Sequence, residues 1–166
     1  MADEAVSDSG PIIHLAQINR FNLLSVFSRI FIPKAVYDEV CIAGKPGNKE
    51  LRRAGFVEVC EISNDDAEAI SKRIEVVLDE GETHALALCM KLDKNVFLTD
   101  DLDAREAGVS IGLEVHGSVG VIARAYKQGL IDLIEAKAVL NDLYNVSNLF
   151  VARAIIESVI EEIEKY

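Results

Sequence analysis

Two acidic islands, Val-Ser-Asp-Ser around Asp8 and Leu-Thr-Asp-Asp around Asp100 and Asp101, each follow a short run that reads as a buried strand. Short apolar runs alternating with helix-like segments are the mark of a parallel sheet, whose strands are covered on both faces and joined by helical crossovers. Parallel strands all end at one edge of their sheet, so both islands fall on that edge. Like charges gathered there are costly unless a cation joins them.

The remaining segments fit the same frame. Residues 4–8 read as the first strand, and Pro11 opens a helical stretch from Ile12 to about Phe27, with a break near Asn19. Arg29 to Ile32 is a second strand ended by Pro33, followed by a helix over 33–43 closed by Gly44. A short helix over 47–55 leads to Phe56-Val57-Glu58-Val59-Cys60, which alternates as a half-exposed strand should. Residues 65–77 and 81–92 read as helices, 95–99 and 113–115 as strands, and 118–166 as three helices. The expected architecture is a three-layer α/β/α sandwich around a central parallel sheet. With no linker, repeat or low-complexity tract, the expected organisation is a single domain spanning 1–166.

Composition removes several function classes. A formal net charge of −11 argues against a protein that coats nucleic acid by simple attraction, which needs clustered Lys and Arg. Lys45, Lys49, Arg52 and Arg53 are a local exception, with a solvated helix face as the plain explanation. No charge-free stretch is long enough to span a bilayer, and Met-Ala-Asp-Glu-Ala lacks the pattern of a signal peptide, so a cytoplasmic location is expected. Cys41, Cys60 and Cys89 are odd in number and widely spaced, which fits small buried side chains better than redox chemistry.

Helix geometry adds two carboxylates to the islands. In 80–92, Glu82 shares a face with Ala85, Leu86 and Cys89, which turns it toward the core. In 33–43, Val36, Val40 and Ala43 mark the buried face, and Glu39 lies about sixty degrees from Val36, bordering the interior. Each acid has an innocent explanation: Glu82 as complement to a helix dipole, Glu39 as partner of Lys34 or Arg29, and the aspartates as caps of helices beginning near Ser9 and Leu102. Four of them on one edge would instead raise each other's proton affinity unless divalent cations kept them ionised. Carboxylates without His or Cys partners suit Mg²⁺ or Mn²⁺ rather than zinc, and His14, His84 and His116 have no zinc-like spacing.

These residues resemble the PIN domain, and most closely a toxin-like branch of small prokaryotic PIN proteins related to VapC. The resemblance runs from about Val6 to Gly129. Residues 6–13 are similar to the opening motif, with Gly10 where a second Ser is commoner; 32–40 resemble the second motif, 78–82 the third, and 98–101 with Arg105 the fourth. His116-Gly117-Ser118-Val119-Gly120 resembles a later turn of the same branch. By this resemblance Asp8, Glu39, Glu82 and Asp101 are the acidic catalytic and metal-binding set, with Asp100 an adjacent candidate metal ligand and Glu82 standing where Asp is commoner. The resemblance implies a Mg²⁺- or Mn²⁺-dependent endoribonuclease that hydrolyses RNA phosphodiesters, with a homodimer and an inhibitory antitoxin as expected partners and no membrane.

Ser9 and Arg105 are candidate substrate-binding residues, Ser9 through its hydroxyl and Arg105, like the cations at 45–53, through flanking phosphates. For Ser9, capping the following helix is the plainer role. An aspartyl-phosphatase motif fails locally, since Asp8 is followed by Ser9 and Gly10, and no phosphate-binding loop string occurs. The remaining alternative is a catalytically inactive PIN-fold protein acting as a nucleic-acid- or partner-binding module.

Overall fold

The apolar runs become five short strands: β1 (Glu4–Ser7), β2 (Arg29–Pro33), β3 (Val57–Cys60), β4 (Val96–Leu98) and β5 (Glu114–His116). In the computed structural model, which describes residues 3–166, they pair in parallel throughout, in the order β3-β2-β1-β4-β5. Side chains alternate across the sheet as the two-residue period requires. Ala5, Ile30, Ile32, Val96 and Leu98 enter one hydrophobic core, while Val6, Phe31 and Phe97 enter the other. Both faces are dry, which is why these strands carry little of the polar alternation of a half-exposed sheet.

Helices cover each face. The first core is closed by α1 (Ser9–Gln17), a 3₁₀ segment (Phe21–Val26), α2 (Lys34–Val40), α3 (Asn48–Arg53), and the later helices α7 (Ser118–Lys127), α8 (Leu133–Asn145) and α9 (Arg153–Glu164). The second is closed by α4 (Asn64–Arg73), α5 (Glu80–Leu92) and α6 (Leu102–Ser110). The result is the expected three-layer α/β/α sandwich. No helix among the described residues is long and apolar enough to cross a membrane. Cys41, Cys60 and Cys89 are all free thiols.

Several boundaries depart from the sequence reading, each for a local reason. The break expected near Asn19 is present, since Asn19 takes a left-handed conformation (φ 57°) after α1 ends at Gln17, and the second part of 12–27 is a 3₁₀ segment rather than a continued α-helix. The helix expected over 65–77 stops at Arg73. Beyond it Ile74, Val76 and Leu78 pack on the second core while Glu75 and Val77 face solvent, the period-two pattern of an extended chain. The helix expected from Ile12 begins at Ser9, with Asp8 as its cap.

Strand order decides where a ligand can sit. From β1 the chain first builds β2 and β3 on one side and then β4 and β5 on the other. The crossovers diverge at β1 and β4, leaving a crevice outside their carboxyl ends.

Candidate active site

Asp8 follows β1 directly and closes the bottom of that crevice. Its backbone N–H donates to Leu98 O at 2.9 Å, extending the ladder that pairs Ser7 with Leu98. Its side chain accepts from Ser9 N at 2.8 Å through Oδ1 and from the Thr99 hydroxyl at 3.1 Å through Oδ2. The carboxyl is 5% exposed, and burial pushes it up from 3.8 to about 7, with the acids Glu82 and Asp79 adding to the rise. The bonds from Ser9 and Thr99 act the other way but do not offset the loss of water.

Glu82 reaches the site from the first turn of α5. Burial pushes its carboxyl up to about 7, and the neighbouring charges of Asp79, Asp101 and Glu39 raise it further. As the helical wheel predicts, Glu82 stands half-buried on the face of α5 that carries the buried Ala85, Leu86 and Cys89. Glu82 Oε2 turns back to accept from Asp79 N at 3.1 Å, while Asp79 Oδ1 accepts from Glu82 N at 2.8 Å. This capping box satisfies two N–H groups that the helix start leaves unpaired, and it draws the carboxylate tip back over the first turn.

Asp101 caps α6, with Oδ1 accepting from Ala104 N at 2.8 Å. Its own N–H donates to the Thr99 hydroxyl at 3.2 Å, so Thr99 ties Asp101 to Asp8. Glu39 is exposed at the junction of α2 with α5, where its Oε2 would lie 3.5 Å from a Cβ placed on Gly81. It borders solvent rather than the interior, and it is not paired as the plain reading allowed: Lys34 takes Asp38, and Arg29 takes Glu58. Asp8, Asp79 and Asp101 each cap a helix whose positive end faces the crevice, which partly offsets their mutual repulsion.

Asp100 points to different partners. Its Oδ1 accepts from Ser118 N at 2.6 Å, and its Oδ2 accepts from the Ser118 hydroxyl at 2.5 Å and lies 2.7 Å from His14 Nδ1. The carboxylate thus knots α1, β4 and the start of α7. Gly117 is essential to that approach, since a Cβ there would lie 2.6 Å from Asp100 Oδ1. Arg105 lies alongside, its guanidinium donating to Val115 O at 3.4 Å and lining an apolar groove of about 560 Å³ with Leu102, Val119 and Phe150. Ser9 does not cap α1; Asp8 does, and the Ser9 hydroxyl makes no hydrogen bond among the described residues. Asp79, Thr99, His14 and Ser118 were not singled out as site residues from sequence. For Asp79 a signal existed, because Asp-x-x-Glu before an apolar helix is a capping-box pattern; the others meet their partners only through the fold.

Two observations bear on a cation. The donors are hard carboxylate oxygens, two of them on groups whose proton affinity is raised first by burial and then by neighbouring acids, a stress that a bound divalent ion relieves. Asp101 spends only one oxygen on capping, and the second oxygen of Asp8 accepts only from the Thr99 hydroxyl. Against this, no group of three or more His, Cys, Asp or Glu side chains among the described residues stands close enough to hold a metal as it is. Glu82 in particular is committed to Asp79 N and would have to give up that bond. The donor chemistry and electrostatics therefore fit a cation, with Glu82 the side chain that must move.

Comparison with known proteins bears on the whole chain. A family model described as a PIN domain, DUF3368, matches residues 4–165. No curated protein gives a significant match.

Proposed function

The chain belongs to the PIN-domain family, whose members are generally nucleases, and from that premise we propose that it is a divalent-metal-dependent endoribonuclease acting in the crevice between β1 and β4. The observation that carries this reading is the electrostatic coupling of Asp8, Glu82, Asp101, Glu39 and Asp79, acids remote in sequence, around two carboxyls raised to about 7. A purely structural site would avoid stacking so much unpaired negative charge beside a buried carboxyl.

Asp8, Glu82 and Asp101 are the residues that would hold Mg²⁺ or Mn²⁺, with Glu39 completing the set from α2. When bound, the ion supplies Lewis-acid stabilisation of a phosphodiester and a water of lowered pKa. The chain's own residues set the rest. Thr99 fixes Asp8 and Asp101 relative to each other through one hydroxyl. The Ser9 hydroxyl is free to orient a water or a phosphate oxygen at the mouth of the crevice. Arg105 offers a cation to a flanking phosphate on the β5 side. Asp100 is assigned a positioning role: its knot with His14 and Ser118 holds the turn that presents Asp101.

Within this reading the protein is a single PIN-like unit of the toxin-like, VapC-related kind, acting in the cytoplasm, for which a homodimer and an antitoxin are the corresponding partners. The test is incubation of purified protein with defined RNAs, with and without Mg²⁺ or Mn²⁺, beside Asp8→Asn. Cleavage by the wild type alone, dependent on the cation, is expected. Equal cleavage by both proteins would remove this site as its source, and no cleavage under any cation would favour a binding module.

A further inference from the structure

We infer that the segment joining α2 to β3 is a phosphate-binding strip that seats single-stranded RNA beside the acidic crevice. Pairing of the cations points there. Nine Lys and Arg side chains among the described residues form ion pairs with Asp or Glu. Lys45, Lys49, Arg52 and Arg53 form none, although the protein carries a net charge of −11 and therefore has carboxylates to spare. Between Glu39 and Glu58 the sequence holds a single acid, Glu50. Among the described residues Arg73, Lys91, Arg105 and Lys165 also form no ion pair, but they are scattered along the sequence, whereas Lys45, Lys49, Arg52 and Arg53 fall within nine residues beside a single acid, a local positive field on an acidic surface.

The strip is held in place with one end near the site, and it runs away from there along α1, where Arg53 lines a groove with Ala16, Asn19 and Asn22. Arg52 is anchored by Asn48 Oδ1 at 2.6 Å and by Cys41 O at 3.2 Å, which fixes α3 against the end of α2. Gly47, buried and left-handed at φ 91°, leaves no room for a side chain: a Cβ there would lie 3.2 Å from Val40 Cγ1 and 3.3 Å from Ile12 Cγ2. The loop is thereby pressed onto α1 at Ile12, four residues after Asp8, which is about 6 Å along the helix axis. Lys45, Lys49 and Arg53 are exposed, and Lys49 and Arg53 share a face one helical turn apart. A strand that leaves the crevice along α1 can therefore place successive phosphates on this strip while another phosphate lies over Asp8. Lysine and arginine contacts of this kind position the backbone without reading bases.

The inference rests on the ribonuclease reading for its choice of polyanion, and its test does not require cleavage. Binding of a fluorescent single-stranded RNA is followed by anisotropy without divalent cation, over a range of KCl concentrations, for the wild type, for Lys45→Ala/Lys49→Ala/Arg53→Ala, and for Lys72→Ala/Lys127→Ala/Lys137→Ala. The last removes three positive charges that are paired elsewhere. The strip variant is expected to bind roughly tenfold or more weakly, with a log–log salt dependence shallower by up to about 2, since each lost single-strand phosphate contact removes about 0.7. The control variant is expected to keep the wild-type slope, and melting curves establish that both variants fold. Equal affinity and slope for the strip variant and wild type, an equal loss in the control, or no RNA binding by the wild type would each overturn the inference. RNA binding with no metal-dependent cleavage would leave the strip standing and remove the nuclease.

Discussion

Asp8→Asn separates the electrostatic role of the site from its packing role. Asparagine keeps the size of the side chain and an oxygen to accept from Ser9 N, while the Thr99 hydroxyl can turn to accept from the new amide. What it removes is the charge. In the wild type the Asp8 carboxyl is raised from 3.8 to about 7 in the folded state, so between those values the native protein holds a proton that the unfolded chain has lost. The stabilising contribution of that proton is complete below pH 3.8 and is lost as pH rises through about 7. At about 1.4 kcal/mol per tenfold change in proton affinity, the full cost by pH 8 is about 4 kcal/mol, an upper bound because water entry and relaxation reduce it. Roughly 2.5 kcal/mol of it falls between pH 5 and pH 8. Urea denaturation in EDTA at pH 5 and pH 8 measures this directly. Asp8→Asn is expected to be the more stable protein at pH 8, with its advantage shrinking toward pH 5, and Mg²⁺ is expected to narrow the gap by stabilising the wild type alone. Parallel pH profiles for the two proteins, or equal stabilisation of both by Mg²⁺, would refute the reasoning.

Other expectations follow from the neighbouring residues. Glu82→Gln retains an oxygen that can accept from Asp79 N and removes a charge that burial disfavours, so in urea denaturation it should gain stability relative to the wild type as pH rises through about 7, while RNA cleavage falls by about 100-fold or more. Asp79→Ala removes the cap of α5 and should cost about 1 kcal/mol by the same measurement. Asp101→Asn should abolish cleavage with little loss of stability. Asp100→Asn should instead lower the melting temperature by weakening the contacts with Ser118 and His14, at a cost of about 1–3 kcal/mol. Gly117→Ala drives a methyl group to within contact of Asp100 Oδ1 and should destabilise by a similar amount, read from the denaturation midpoint.

Strands β1 and β4 were legible because a doubly covered parallel strand leaves a short apolar run with an abrupt polar end, and Asp8 and Asp101 were legible because they sit at those ends. The side-chain wheel gives the face of Glu82 but not its reach, because unpaired N–H groups of the first turn draw the carboxylate tip back toward Asp79. It misjudges Glu39, which lies on an outer edge of α2 that only the packing of α5 brings near the site. The sequence reading extends a helix over Ile74 to Val77, although the β-branched residues and in-out alternation there mark an extended chain. The His14–Asp100–Ser118 knot had no local signal at all: its members are 86 and 18 residues apart, and nothing short of the fold places them together.

The most direct test is a crystal soaked in Mn²⁺ and measured for anomalous scattering. A peak in the β1/β4 crevice touching the carboxylates of Asp8 and Asp101, with Glu82 released from Asp79 N, is the expected result. Mn²⁺ at saturating concentration bound only elsewhere, with the Asp79–Glu82 capping box intact, would contradict a cation-holding site here.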